Sequence, residues 1–104
     1  RFEEAIALFD ELLHKQPDNY LAHYSIGRIV ATSGINLDKG EQHLKQSLQL
    51  SPGKGEPSHA AVHWRLGNIQ ERRYNPDAAR SAYQHSLQID PNFKQAIESL
   101  TKLK

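Results

Sequence analysis

The sequence predicts an all-α fold built from repeated antiparallel helix hairpins, and two recurring patterns carry that reading. Three segments, AIALFDELLHKQP, GEQHLKQSLQLSP and ARSAYQHSLQIDP, end on Pro17, Pro52 and Pro91. In each, a small residue (Ala5, Gly40, Ala79) stands twelve before the proline. A bulky one (Phe9, Leu44, Tyr83) stands eight before it, and a leucine (Leu13, Leu48, Leu87) four before it. Steps of three to four residues gather such side chains on one helical face, and the proline then stops the helix because it lacks an N–H and restrains its predecessor. The second pattern is a rhyme: HYSIG at His23–Gly27 and HWRLG at His63–Gly67 lie 40 residues apart. A glycine inside a helix costs about 1 kcal/mol against alanine, a cost tolerated where two helices cross closely. The chain therefore alternates two kinds of helix, and the unit is a hairpin.

Taken in order, Arg1–Gln16 reads as the second helix of a unit whose first is absent, closing at Pro17. Tyr20–Thr32 reads as a first helix, and the segment ending at Pro52 is its partner, making residues 20–52 one unit. Ser58–Arg72 and the helix ending at Pro91 make residues 58–91 the next, with Asn75 as N-cap and Pro76 at the first helical position. Residues 93–104 close the stack: Phe93, Ala96, Ile97, Leu100 and Leu103 share one face, and the rest is polar, as suits a terminal cap.

Composition narrows the function classes. At 104 residues the chain is one domain or part of one, and its opening on Arg1 amid a helical pattern suggests a piece of a longer protein. Thirteen basic against twelve acidic residues give a net charge of +1, which argues against nucleic acid or an anionic membrane as partner. No apolar run approaches the roughly 18 residues of a membrane span. The absence of cysteine removes disulfides, thiolate metal sites and cysteine nucleophiles together.

The aliphatic–Gly pairs Ile26–Gly27 and Leu66–Gly67, the series Ala79, Tyr83, Leu87, Pro91 and the ending IDPNF together resemble the tetratricopeptide repeat, a helix–turn–helix unit of about 34 residues. The resemblance covers nearly the whole chain and implies a right-handed α-solenoid of about six helices. Departures are visible. His23 and His63 stand where the family places a bulky residue, and Ser47 and Ser86 replace a usual alanine. The prolines are 35 and 39 residues apart, with the extra length in SGINLDKG and SPGKGEPSH. The lengthened loop is similar in style to that of bacterial members, often exported ones.

Candidate chemistry is sparse. His59 and His63 have the spacing of two metal ligands on one helix, but HAAVH lacks the glutamate of a zinc-protease motif. Stacked repeats hold His23 and His63 about 10 Å apart, too far for one ion, so packed or surface histidines are expected. His14, His43 and His85 lie on second helices and are given no ligand role. No serine occupies a nucleophile elbow, and Gly53-Lys54-Gly55 lacks the spacing of a phosphate-binding loop. No catalytic residue, metal or cofactor is expected. The 53–59 loop reads as a flexible connection, or as a partner contact through Lys54 and Glu56.

The resemblance implies that first helices line a concave groove for peptides. Its groove positions carry over to Tyr20, Leu21, Tyr24, Arg28, Ala31 and Thr32, then to Ala61, Trp64, Asn68, Glu71 and Arg72. The closing helix adds Gln95, Glu98 and Lys102. Tyr24 and Trp64 are of the type enriched at interface hot spots, or they pack between helices; Arg28 and Arg72 suit a carboxylate, and Asn68 a backbone amide. A subclass that clamps chaperone C-termini matches only in scattered positions among Tyr24, Ser25, Arg28, Ala61, Arg65 and Asn68. The expected function is a non-enzymatic interaction module for a protein or peptide. The alternative is a structural scaffold, packing against a longer parent or self-associating through the Ile6, Phe9 and Leu13 face of the first helix.

Overall fold

A computed structural model describes residues 1–103. Six helices fill it: α1 (Phe2–Lys15), α2 (Tyr20–Ser33), α3 (Leu37–Ser47), α4 (His59–Arg72), α5 (Pro76–Ile89) and α6 (Lys94–Lys102). There is no strand among the described residues. Three of the six helices start at a side chain that satisfies an orphan N–H group. Asn19 accepts from Ala22 N at 2.9 Å, Ser58 from Ala61 N at 3.4 Å and Asn75 from Ala78 N at 3.3 Å.

Helix ends are more varied. Gly34 closes α2 in the left-handed region (φ 79°), its N–H donating to Val30 O at 2.7 Å. At the equivalent turn after α4 the left-handed residue is Tyr74 (φ 60°), 91% exposed. A bulky residue there costs about 1–2 kcal/mol, and its side chain recovers none of that by burial. Tyr74→Gly is therefore expected to raise stability by about 1 kcal/mol, or roughly 4–8 °C in Tm; a thermal melt with no rise would remove the strain from this turn.

α3 ends earlier than its proline implies. Its last helical residue is Ser47, and the chain tightens through Gln49 N to Gln46 O (3.0 Å) and Leu50 N to Ser47 O (3.1 Å), the i→i+3 bonds that commonly finish a helix. The freed carbonyl of Leu50 accepts from His59 Nε2 at 2.8 Å, so the first side chain of α4 completes the end of α3. Leu48 still packs at the edge of the core.

The helices form two layers. α2, α4 and α6 are joined by side-chain bonds from Arg65 to Tyr24 and from Trp64 to Ser99. α1 and α3 are joined by Lys39 Nζ to Asp10 Oδ2 at 3.1 Å. Arg73, just past α4, grips α3 through Asp38 and through Glu41 Oε1 at 2.6 Å. Burial opposes the charge on Glu41, but hydrogen bonds from Arg73 and Lys45 outweigh it and hold the carboxyl below its ordinary range.

Between the layers, the small residues mark the crossings. A Cβ on Gly27 would overlap Leu44, one on Gly40 would overlap Val30, and one on Gly67 would overlap the Tyr83 ring. Leu44, Val30 and Tyr83 are fully buried. The core around them contains Ile26, Val62 and Ile69, also without exposure. Ser47 and Ser86 share that burial and satisfy their hydroxyls on backbone: Ser47 on Leu44 O at 2.6 Å, Ser86 on Ala60 O at 2.8 Å. Ser86 thereby ties α5 to α4, which an alanine there cannot do.

Candidate partner-binding groove

The layer of first helices places the expected groove residues side by side, but not all of them open. α2 lies between α1, α3 and α4, and ten of its fourteen residues are buried. Two expectations are corrected by that burial. Tyr20 is 4% exposed; its hydroxyl donates to Pro57 O at 2.7 Å and its ring stacks on His59. It fastens the long connection before α4 instead of offering a face, and burial, with Tyr24 and Glu56 nearby, pushes its phenol up to about 12. Tyr24 is 6% exposed, with its ring in the core and its hydroxyl accepting from Arg65 Nε at 3.2 Å. Ala31 and Ala61 are buried as well.

Trp64 is half-buried. Its Nε1 donates to Ser99 Oγ at 3.0 Å, its ring meets Phe93 edge-on, and the Arg65 guanidinium stacks 4.1 Å above it. Arg65 continues to Asn68 Oδ1 at 3.4 Å, and Asn68 Nδ2 donates to the Tyr83 hydroxyl at 3.0 Å. That hydroxyl in turn donates to the Glu71 carboxylate. Burial and the bond to Glu71 raise the Tyr83 phenol far above its ordinary value, so it stays a donor. Tyr24, Arg65, Asn68, Tyr83 and Glu71 thus form one unbroken hydrogen-bonded chain.

Arg72 turns away from a carboxylate role. Its Nε donates to Ala31 O at 3.2 Å and a terminal nitrogen to Thr32 O, covering the last carbonyls of α2, where a cation suits the helix dipole. Arg28 is exposed and in no ion pair among the described residues. Leu21, Thr32, Gln95, Glu98 and Lys102 are also exposed. At the C-terminal ends of α2 and α4 the layer opens into a cleft of about 530 Å³ lined by Ala31, Gly34, Asn68, Glu71, Arg72 and Tyr74.

Sequence reasoning gave too little weight to Arg65, Tyr83 and Ser99. The available signal for Arg65 was its place beside Trp64 in HWRLG. Tyr83 was read as a core residue, which it is, but its hydroxyl reaches through to the groove. Four of the six histidines pack in pairs: His23 with His43 (centroids 5.1 Å apart) and His63 with His85 (5.3 Å). No group of three or more ligating side chains among the described residues has the geometry to hold a metal ion. No helix among them is long and apolar enough to cross a membrane.

Stacked hairpins of this kind, each crossing at a small residue and lining one layer with first helices, define a helical-repeat protein. The chain belongs to the tetratricopeptide repeat family: one profile of that repeat matches residues 1–54 and a second matches residues 60–93. Repeats of this family generally mediate protein–protein interaction and are typically non-catalytic. The chain is also similar to "Protein O-mannosyl-transferase TMTC3" of Homo sapiens and of Mus musculus, each 31% identical over 111 residues. The likeness covers 98% of this chain and 12% of each relative.

Proposed function

We propose that the protein binds a peptide or partner domain, without catalysis of its own, in the groove formed by α2, α4 and α6. The observation that carries the reading is Trp64, a large ring left half open in that layer and held rigid by Arg65, Phe93 and Ser99. A pre-ordered aromatic gives contact area at little entropic cost. Arg28, in no ion pair among the described residues, supplies a cation for a carboxylate of the partner, with Asn68, Glu71, Arg72 and Lys102 along the same layer. Tyr20 and Tyr24 form its floor.

The test uses peptides selected by display against the 104-residue chain. Trp64→Ala is expected to weaken a selected peptide by about 2 kcal/mol, roughly thirtyfold in Kd, and Arg28→Glu to weaken acidic peptides. Unchanged Kd in both variants, with melting curves showing both folded, would sink the reading.

A second reading is favoured by α1, whose Phe2 and Leu8 are 47% and 68% exposed. The Ile6, Phe9 and Leu13 face expected for self-association is turned into the core instead, so in a scaffold Phe2 and Leu8 carry the packing of α1 against the rest of a longer protein. The named relatives are longer proteins, of which this chain spans 12%, and that proportion supports the reading.

A further inference from the structure

We propose that Asp10, His23 and His43 form a proton-sensitive latch that holds α1 on the stack at neutral pH and loosens it on acidification. The three groups come from α1, α2 and α3. Nδ1 of His23 lies 2.9 Å from Nδ1 of His43, and Nε2 of His23 lies 2.8 Å from the carbonyl oxygen of Pro17. A carbonyl only accepts, so Nε2 of His23 carries the hydrogen. Nδ1 of the neutral His23 ring is then an acceptor, and the hydrogen between the two Nδ1 atoms belongs to His43. One nitrogen remains with a free lone pair: Nε2 of His43, 4.0 Å from Asp10 Oδ1.

This arrangement fixes where added protons go. The first must go to Nε2 of His43. Burial opposes a charge there most strongly, His23 and Lys39 add to the opposition, and Asp10 favours it without prevailing, so His43 titrates below an ordinary histidine. Lys39 already occupies Asp10 at 3.1 Å. His14, Asp18 and Gln46 line the same cleft, of about 400 Å³, and His14 Nδ1 is engaged by the backbone oxygen of Asp10 at 2.9 Å. Both ring nitrogens of His23 are already engaged, Nε2 on Pro17 O and Nδ1 as the acceptor from His43, so a hydrogen on that Nδ1 is incompatible with the contact. Two N–H groups would then face each other across 2.9 Å, at a ring only 7% exposed.

The sign follows from proton counting. An unfolded histidine takes up its proton near pH 6.5, and the closed latch refuses it until lower pH. Between the two values the open form holds more protons, so the latch contributes its full stability above about pH 6.5 and loses it as pH falls. The opening centres on α1, because Pro17 and Asp10 belong to that helix and its turn. Ile6 is its one buried residue, and elements with little burial open first.

The experiment is amide hydrogen exchange on the 104-residue chain at several pH values, corrected for intrinsic rates. Protection along α1 is expected to fall by up to about tenfold per pH unit below pH 6.5. In His43→Phe most of that fall should vanish, while His63→Phe should leave it in place. His43→Gln serves if the phenylalanine variant does not fold. Nitrogen NMR of the unaltered protein is expected to find His23 protonated on Nε2 and His43 on Nδ1. Retention of the α1 slope in the His43 variants, or the opposite tautomers, would overturn the latch.

Discussion

Gly67→Ala is expected to lower the melting temperature by on the order of 10 °C. The added methyl overlaps the Tyr83 ring, which is fully buried and held at its hydroxyl by Asn68 and Glu71. The ring has no room to retreat, so α4 and α5 must part. Overpacking of this kind costs about 1–3 kcal/mol, against about 1 kcal/mol gained from the helix propensity of alanine. With the ring pinned, the upper end applies and a net loss of about 2 kcal/mol remains, at 4–8 °C per kcal/mol. The control is the same change in a Tyr83→Ala background. There the obstacle is gone, and Gly67→Ala is expected to be neutral or stabilising by up to about 1 kcal/mol. Equal losses in both backgrounds would mean the glycine does not set this crossing.

At the other hairpin the same geometry gives a change of sign. Leu44→Ala removes a fully buried side chain and is expected to cost about 3 kcal/mol, the middle of the range for leucine truncations in cores. Gly27→Ala alone is expected to cost about 1–2 kcal/mol, since its methyl meets Cγ of Leu44 and not the far end of a flexible chain. Combined, the two changes exchange volume across the interface. Gly27→Ala should then recover about 1 kcal/mol of the Leu44→Ala loss, through propensity and a smaller cavity. Urea unfolding reads this directly as a midpoint shift at constant m. A double variant weaker than Leu44→Ala would refute the pairing.

These crossings were legible in the sequence because they depend on spacing. The positions occupied by Gly27, Gly67, Leu44 and Tyr83 follow from helical periodicity, and small against large is a pattern one dimension can hold. Asn75 was equally readable as an N-cap, since a cap is a local device. What escaped needed the third dimension. Tyr24 and Trp64 occupy the same place in their pentads, yet Tyr24 is buried in a helix packed between α1, α3 and α4, while Trp64 is left half open against Phe93, Ser99 and Arg65. The pairing of His23 with His43 joins residues 20 apart, on faces whose mutual rotation no single-helix pattern encodes. Asp10 approaches from yet another helix. The early end of α3 was hidden for a related reason: the acceptor that relieves it is a carbonyl, and the donor is a histidine nine residues on.

The hydrogen-bonded chain from Tyr24 to Glu71 bears on discrimination between ligands. Its donors and acceptors are already matched to one another, so a partner that engages one of them exchanges bonds instead of adding them, with little net gain. In the proposed groove, attraction then comes from the open flank of Trp64 and from Arg28. The matched row acts as a filter. A ligand that breaks a link without replacing it strands a half-buried polar group, a penalty of about 1–3 kcal/mol. Under the proposed binding mode, affinity and selectivity are divided between different residues, and each can change without the other.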